Sequence, residues 1–389
     1  MRKYTETQEK NIRLERLVRE WTRSGIIEAQ QLESILPQLR VELRRTNLFL
    51  RLILFAFGVL IISASVLLVA VIFKAGGNMI QMICFVSACI CFGVAEILVE
   101  RRRLYRFGLE EAAVCMAVVF AVIGSFLFVS DTINGMHRWA PELFALIVAS
   151  VTAFVAYLRF GYVYAVAASV LCIGFAPFET DLPGFVQRLA SAGIFAAVLT
   201  LSRIKRRDYE DEFPGDEYNI IQSLAWAGVY AVLNLHLIPK YLGSSVVPPT
   251  FYSFTYITVW ALPAIGIALA LRDKDRTLLD VSLAMGLLTF ISNKAYLSAM
   301  PQTWDPILFG VALLTISLVV RRWLSQGQDG LRLGFTASRI LRSDSRAISM
   351  AATISGFATN PAAAGAPTHS EMFKSEGGRS GGAGATGSF

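Results

Sequence analysis

The stretch from Leu52 to Phe73 holds 22 residues without a charged side chain, and it constrains this chain more than any other segment. At about 1.5 Å per residue, a helix of this length crosses the roughly 30 Å hydrocarbon core of a bilayer. A lipid core offers no water to free backbone groups, so the stretch must close its own hydrogen bonds as a helix. Arg51 precedes the stretch and Lys74 follows it. The sequence therefore predicts a membrane-spanning helix.

The composition extends this prediction to most of the chain. Of its 389 residues, 54% are hydrophobic and 17% are charged, whereas soluble globular proteins carry about 25% charged residues. The formal net charge is +7, but most Lys and Arg residues flank apolar segments. Membrane topology explains that placement better than phosphate binding does. We therefore expect a lipid bilayer around the chain and no nucleic acid partner.

Hydropathy predicts an all-α membrane bundle of about ten helices. The predicted spans are residues 52–73, 79–99, 109–129, 142–158, 161–178, 185–204, 220–238, 251–271, 277–297 and 306–323. We predict three domains, namely a cytoplasmic helical hairpin at 1–47, the bundle at 48–324 and a tail at 325–389. After Pro361 the tail is rich in Ala, Gly and Ser, and this composition predicts disorder over most of it.

The distribution of Lys and Arg over alternate loops predicts the orientation. One set of loops carries twelve such residues: Arg101, Arg102, Arg103, Arg106, Arg159, Arg203, Lys205, Arg206, Arg207, Arg272, Lys274 and Arg276. The opposite set carries four: Lys74, Arg138, Arg188 and Lys240. The positive-inside rule places the richer set in the cytoplasm. Both termini are then cytoplasmic.

The N-terminal segment has the pattern of two short amphipathic helices. Ile12, Leu14, Leu17, Val18 and Trp21 recur at helical spacing, and Ile27, Leu32, Ile35 and Leu36 form a second stripe. Gly25 lies between the stripes and favours a helix stop, because glycine enters the left-handed conformation at little cost. Leu17, Trp21, Ile27 and Leu32 are the candidate surface for a cytoplasmic or membrane protein partner.

Residues 17–36, LVREWTRSGIIEAQQLESIL, resemble the cytoplasmic opening of a family of predicted bacterial membrane proteins, domain of unknown function 2157. Trp21, Gly25, Ile26 and Ile27 match the family's Trp-x-x-x-Gly-Ile-Ile step, and Gln30 and Gln31 match the Gln/Glu-rich helix that follows it. Glu28-Ala29 departs from the usual Thr/Ser-Pro-Glu helix start. The resemblance implies a multi-pass protein of a bacterial inner membrane, and it implies no activity.

No pattern in the chain points to catalysis. The five cysteines lie inside apolar segments without CxxC spacing, which favours buried packing. The three histidines are scattered, and no HExxH, Walker or GxSxG motif occurs. We therefore expect no enzyme activity, no catalytic residue, no cofactor and no metal site.

Acidic residues near the predicted span ends are expected to form pairs at the membrane surface. Glu110 follows Arg106 by four residues, and this spacing places both side chains on one helix face. A functional role is the alternative for acids in or near a membrane segment.

Two neutral features mark a candidate polar or kinked site. Trp226, Tyr230 and Asn234 recur every four residues and form one stripe on a helix. Pro263 and Gly266 lie well inside the next predicted span, where proline removes an amide donor and predicts a kink. Packing with an aromatic belt is the alternative interpretation of the stripe. The alternative interpretation of Pro263 is a proline without a special role, since prolines are common in membrane helices.

These features favour a non-enzymatic scaffold or sensor that engages a partner through its N-terminal hairpin. The alternative is a transporter or channel for a small solute or lipid, built from two five-helix halves of inverted orientation. A polar cavity reaching mid-membrane near Asn234 and Pro263 favours transport, and a lipid-tight bundle favours the scaffold.

Overall fold

The computed structural model describes Tyr4 and residues 6–23, 27–39, 41–132, 140–207, 216–237, 248–273 and 275–296, with scattered positions from 307 to 336. Within these residues the chain is all-helical apart from two strands of two residues each. The helices are α1 Glu6–Arg23, α2 Ala29–Ile35, α3 Leu48–Ile72, α4 Asn78–Arg102, α5 Leu109–Thr132, α6 Ala140–Phe160, α7 Val163–Phe175, α8 Gly184–Arg207, α9 Asp216–Leu233, α10 Pro249–Asp273 and α11 Arg276–Tyr296. The strands, β1 Leu331–Arg332 and β2 Phe335–Thr336, pair antiparallel.

Among the described residues, six helices are long and apolar enough to cross a membrane, which fits a membrane protein. They are α3, α4, α5, α6, α8 and α10. The predicted all-α class is confirmed, and each of the first nine predicted spans overlaps a described helix. Two of those helices, α7 and α11, have shorter apolar parts. Much of the tenth predicted span, 306–323, and most of the predicted tail, 325–389, lie outside the described residues.

Close backbone approaches hold α3 against α5. A Cβ at Gly58 of α3 would lie 2.7 Å from the Ala112 Cβ, so only glycine permits this contact. Gly108, just before α5, has φ +110°, and a side chain there would collide with the Arg51 carbonyl. Arg51 also forms an ion pair with Glu111. These contacts fix one end of α3, although most of its large apolar side chains remain exposed, as expected of a helix that faces lipid.

The described residues fall into two compact units. The first takes positions within Met1–Glu15 and Leu36–Val311, and the second takes Arg16–Ile35 and positions from Ala312 onward. The first part of the N-terminal segment therefore groups with the bundle. The predicted domain boundary after residue 47 and the separate hairpin domain stay predictions.

A fully buried phenyl ring holds together α7, α8 and α9. Side chains at Gly174 in α7 and at Gly228 in α9 would both collide with the ring of Phe195 in α8. The two glycines therefore form the socket for this ring. Through it, α9 is held against α8 on one side, and its opposite face is left for α10 and α11.

Candidate functional site

A buried strip of polar residues runs along α9 where this helix meets α10 and α11. We name this strip the polar seam and define it by eight residues: Ser223, Trp226, Tyr230, Asn234, Gly266, Ser282, Thr289 and Ser292. The structure thus brings together four of the five residues of the predicted polar site, and Pro263 lies one turn from Gly266. All the seam side chains are buried.

The half of the seam near the C-terminal end of α9 is fully hydrogen-bonded, and we name it the bonded half. The Asn234 side-chain amide donates to the Tyr230 hydroxyl at 3.1 Å and to Ser292 Oγ at 3.0 Å. The Tyr230 hydroxyl lies 2.9 Å from Thr289 Oγ1. Asn234 Oδ1 accepts the His236 backbone N–H at 3.2 Å. These contacts tie α9 to α11 with side chains alone.

Pro263 explains why a threonine ends this chain of hydrogen bonds. Proline has no N–H, so the carbonyl four residues earlier, that of Val259, loses its partner in the helix. Thr289 Oγ1 lies 3.0 Å from that Val259 oxygen and 2.9 Å from the Met285 oxygen of its own helix. Membrane helices tolerate proline when a neighbouring hydroxyl satisfies the freed group. α10 accordingly continues through Pro263 as one helix, and a kink there stays a prediction.

The other half of the seam has polar atoms without partners, and we name it the unbonded half. Ser223 Oγ, Trp226 Nε1 and Ser282 Oγ are buried and have no hydrogen-bond partner among the described residues. Trp226 and Ser282 meet over Gly266, because a side chain at this position would collide with both polar atoms. The unbonded half is therefore polar and tightly packed, and these three polar atoms make no hydrogen bond with a described residue.

Gly266 lies inside α10, which is long and apolar enough to cross a membrane, and Ser282 lies in the apolar part of α11. Gly266 precedes Asp273 by seven residues, and Ser282 follows Arg276 by six. At 1.5 Å per residue, both lie about 10 Å from the turn that joins α10 and α11. Leaving a polar group unpaired at such depth in lipid is costly.

Arg188 of α8 is buried at the end of α9. Its Nη1 donates to the Val232 carbonyl at 2.6 Å, and its guanidinium carbon lies 5.9 Å from the centre of the Phe178 ring. A cation is favourable here because the last carbonyls of a helix have no partner within it and carry partial negative charge. The sequence-based assignment of Arg188 to a loop is therefore wrong, since its side chain closes a helix end inside the bundle.

The N-terminal segment is joined to the bundle where α4 ends and α5 begins. We name Tyr4, the first part of α1 to Glu15, and residues 41–46 the docked arm. The Tyr4 hydroxyl donates to the Leu104 carbonyl at 2.8 Å, and Arg44 pairs with Leu104 through a short parallel bridge. Burial raises the pKa of the Tyr4 phenol above its ordinary value, and the nearby Glu110 adds to the shift. This phenol therefore stays neutral.

The docked arm and α4 line a polar cleft of 570 Å³. Its walls include Thr7, Gln8 and Asn11 of α1, and Glu42 and Arg103, which form an ion pair. The volume falls within the range of about 300 to 1,000 Å³ that is common for small-molecule sites. This cleft is a second candidate site, and the sequence pattern did not reveal it.

The four residues of the predicted partner surface lie within Arg16–Ile35. Trp21 is 36% exposed, and Leu17, Ile27 and Leu32 are half-buried. Leu17 and Trp21 are one turn apart on α1. They belong to the described part of the second compact unit.

Two of the acids near the helix ends, Glu96 and Glu111, form ion pairs, whereas Glu110 binds a backbone N–H. Glu96 forms an ion pair with Arg159 at 2.5 Å. Glu110 is buried, and its Oε1 accepts the Phe107 backbone N–H at 2.6 Å, which caps the start of α5. Arg106 lies over the Tyr105 ring instead. The predicted Glu110–Arg106 pair is therefore wrong, since the carboxylate faces the backbone of its own helix start.

No group of three or more His, Cys, Asp or Glu side chains within the described ranges is arranged to hold a metal ion. The five cysteines are free thiols, and Cys89 is exposed. The seam contains only neutral polar side chains.

Comparisons with known proteins return no similar protein. No protein-family model matches the chain, and no match is found among curated proteins or among solved structures.

Sequence reasoning missed the α11 side of the seam. Ser282, Thr289 and Ser292 are separated by seven and three residues, which places them on one helix face. This spacing is a signal comparable to the α9 stripe, and it identifies the face of α11 that meets α9.

Proposed function

We propose that this protein is a multi-pass protein of a bacterial inner membrane and acts as a non-enzymatic scaffold or sensor. The proposal includes ten membrane helices, cytoplasmic termini and a distant relationship to domain of unknown function 2157. A protein partner binds the surface formed by Leu17, Trp21, Ile27 and Leu32. The exposed Trp21 is the observation that carries the proposal, because a large aromatic side chain on an amphipathic helix is a typical anchor for a partner.

The docked arm supports this function. Arg45 pairs with Glu15 at 2.5 Å. The Tyr4 hydroxyl binds the Leu104 carbonyl, and the Arg44 backbone donates to the Arg103 carbonyl and accepts from the Tyr105 N–H. α1 continues from the docked arm to Trp21 as one helix. The start of this helix therefore belongs to the segment that lines the polar cleft.

Purification in a mild detergent from native membranes, followed by mass spectrometry of bound proteins, tests the proposal. The double variant Leu17→Ala/Trp21→Ala removes the anchor and leaves the docked arm intact. Trp260→Ala, which removes an exposed tryptophan from α10, is the matched control. We expect a stoichiometric partner with the wild type and with Trp260→Ala, and its loss from the double variant. The absence of such a partner, or its retention by the double variant, contradicts the proposal.

Transport of a small solute is the second candidate function. The polar seam favours it, because polar residues buried between membrane helices are often functional. Uptake of labelled solutes into vesicles containing the purified protein tests it. Uptake equal to that of protein-free vesicles contradicts it.

A further inference from the structure

An open groove lies between α3 and α4, and we name it the α3–α4 groove. Its volume is 510 Å³, and its lining comes from positions within 61–69 of α3, positions within 79–94 of α4, and Ala113 of α5. The lining is almost entirely apolar and includes no Asp, Glu, Lys, Arg or His. Its walls stay exposed, with Met82 67% and Ile61 61% accessible. Both helices are long and apolar enough to cross a membrane, so the groove opens to lipid in a bilayer.

The groove exists because α3 and α4 both pack on α5 and make few contacts with each other. Gly58 brings α3 against α5, and Gly124 brings α5 against α4, since a Cβ at Gly124 would lie 3.2 Å from the Cys84 Cβ. Ala113 of α5 is buried and forms part of the floor. An unfilled groove deprives its walls of dispersion contacts, and packing is a main source of association within a membrane. A molecule that fills the groove is therefore favoured.

The size of the groove limits the kind of occupant. Its lining extends about 12 Å along α3 and about 22 Å along α4, at about 1.5 Å per residue. Spread over those lengths, 510 Å³ corresponds to a mean cross-section of about 20 to 40 Å². A helix with its side chains is about 10 to 12 Å wide and needs about 80 Å² or more, so a helix of a second copy does not fit. A hydrocarbon chain fits, because its contact width is set by carbon separations of about 4 Å.

A positive charge lies at one end of the groove. Lys74 is exposed in the turn that joins α3 and α4, and it is five residues from both Val69 and Met79 of the lining. α4 begins at Asn78, and the first turn of a helix carries a partial positive charge that favours anions. A lipid phosphate at the membrane surface matches this end, and a hydrocarbon chain attached to it would follow the groove into the bilayer.

We propose that the α3–α4 groove binds a phospholipid, with one acyl chain between the two helices and the phosphate beside Lys74. Half of the hydrocarbon core is about 15 Å thick, so a chain of one leaflet stays within the extent of the groove along α4. The apolar walls hold the chain, and the Lys74 ammonium and the start of α4 hold the phosphate. The site rests on the proposed membrane location and not on the partner surface at Trp21, so the lipid site and the partner surface can fail separately.

Native mass spectrometry of the full-length protein in a mild detergent tests the proposal, with phosphatidylglycerol as the probe. We expect one phosphatidylglycerol to bind more tightly than those that follow it. Diacylglycerol with the same acyl chains lacks the phosphate and should bind more weakly. Glycerol phosphate lacks the chains and should not displace the lipid, which distinguishes a lipid site from a site for free phosphate.

Lys74→Gln tests the charged end of the groove. The affinity for the first phosphatidylglycerol should fall about three- to ten-fold, because one basic side chain at the membrane surface contributes about that much to binding an anionic lipid. Lys205→Gln is the matched control, since it removes an exposed lysine from the end of α8. This control should bind the lipid as the wild type does.

Ser87→Trp tests the apolar part, because Ser87 lines the groove on α4 and a large side chain there fills it. The tight site should be lost. Ser65→Phe, from the facing wall on α3, replaces it if Ser87→Trp folds poorly. Ser253→Trp, at an exposed position of α10, is the control and should keep the site.

Four results overturn the proposal. They are the absence of a first phosphatidylglycerol that binds more tightly than the rest, equal binding of diacylglycerol, wild-type affinity in Lys74→Gln, and wild-type affinity in a folded groove-filling variant. A dimer in the same spectra that Ser87→Trp separates would also contradict it, because the groove would then be an interface between two copies of the chain.

Discussion

The two halves of the polar seam contain similar residue types, but only one half is hydrogen-bonded among the described residues. In the bonded half, Thr289 satisfies the Val259 carbonyl that Pro263 leaves free, and Asn234 and Tyr230 complete the chain of hydrogen bonds. In the unbonded half, Ser282 and Trp226 converge over Gly266 without a partner among the described residues. The difference indicates that a hydroxyl buried in this interface is bonded where Pro263 leaves a backbone carbonyl free, and has no described partner where the helix backbone is complete.

The largest effect is expected from filling the space over Gly266. Gly266→Val forces Trp226 and Ser282 apart, and overpacking of this kind costs about 3 kcal/mol. The thermal stability of the detergent-purified protein should fall sharply. Gly193→Val is the control, because nothing lies within 4 Å of a Cβ at that exposed position of α8. Equal effects of the two substitutions would contradict the close packing over Gly266.

Thr289→Val tests the bonded half and should cost about 1 to 2 kcal/mol, because it leaves the Val259 carbonyl without a partner and removes one of the two partners of the Tyr230 hydroxyl. Pro263→Ala restores the amide that binds Val259 within α10. Thr289→Val should therefore cost less in the Pro263→Ala background than in the wild type, by about 0.5 kcal/mol or more. A double-mutant cycle of unfolding free energies measures this coupling. Strict additivity would show that Thr289 does not serve the proline.

The smallest change in stability is expected from Ser282→Ala. The hydroxyl forms no hydrogen bond with a described residue, and removing a buried unpaired polar group is close to neutral or stabilising by up to about 1 kcal/mol. The thermal stability of the purified Ser282→Ala variant, compared with that of the wild type, provides the measurement. A loss as large as that of Thr289→Val would show that Ser282 already has a partner.

The helices were largely predictable because long apolar runs leave few alternatives in a membrane. Residues 251–271 were predicted as a span and form most of α10, and residues 109–129 form most of α5. The packing of the N-terminal segment was not predictable. The Tyr4 hydroxyl binds the Leu104 carbonyl, and the Arg44 backbone binds those of Arg103 and Tyr105. Pairing between residues about 60 or 100 positions apart leaves no local pattern in the sequence.

Only the α9 side of the polar seam was predictable from the sequence. The four-residue spacing of Trp226, Tyr230 and Asn234 marks a face of α9 whatever packs against it. The partners on α11 are Ser and Thr, which also bond their own helix carbonyls and are common in apolar helices. The role of Thr289 beside Pro263 was not predictable either, because the Val259 carbonyl that the proline frees is bonded by a residue 30 positions further along the chain.

One paired measurement tests most directly whether the two halves of the polar seam have separate roles. Ser282→Ala and Thr289→Val are purified side by side, and the thermal stability of both is recorded. We predict that Ser282→Ala keeps the stability of the wild type, because its hydroxyl has no described partner, whereas Thr289→Val loses about 1 to 2 kcal/mol. If stability falls equally in both variants, the seam acts as a single structural unit and the separation of its two halves is wrong.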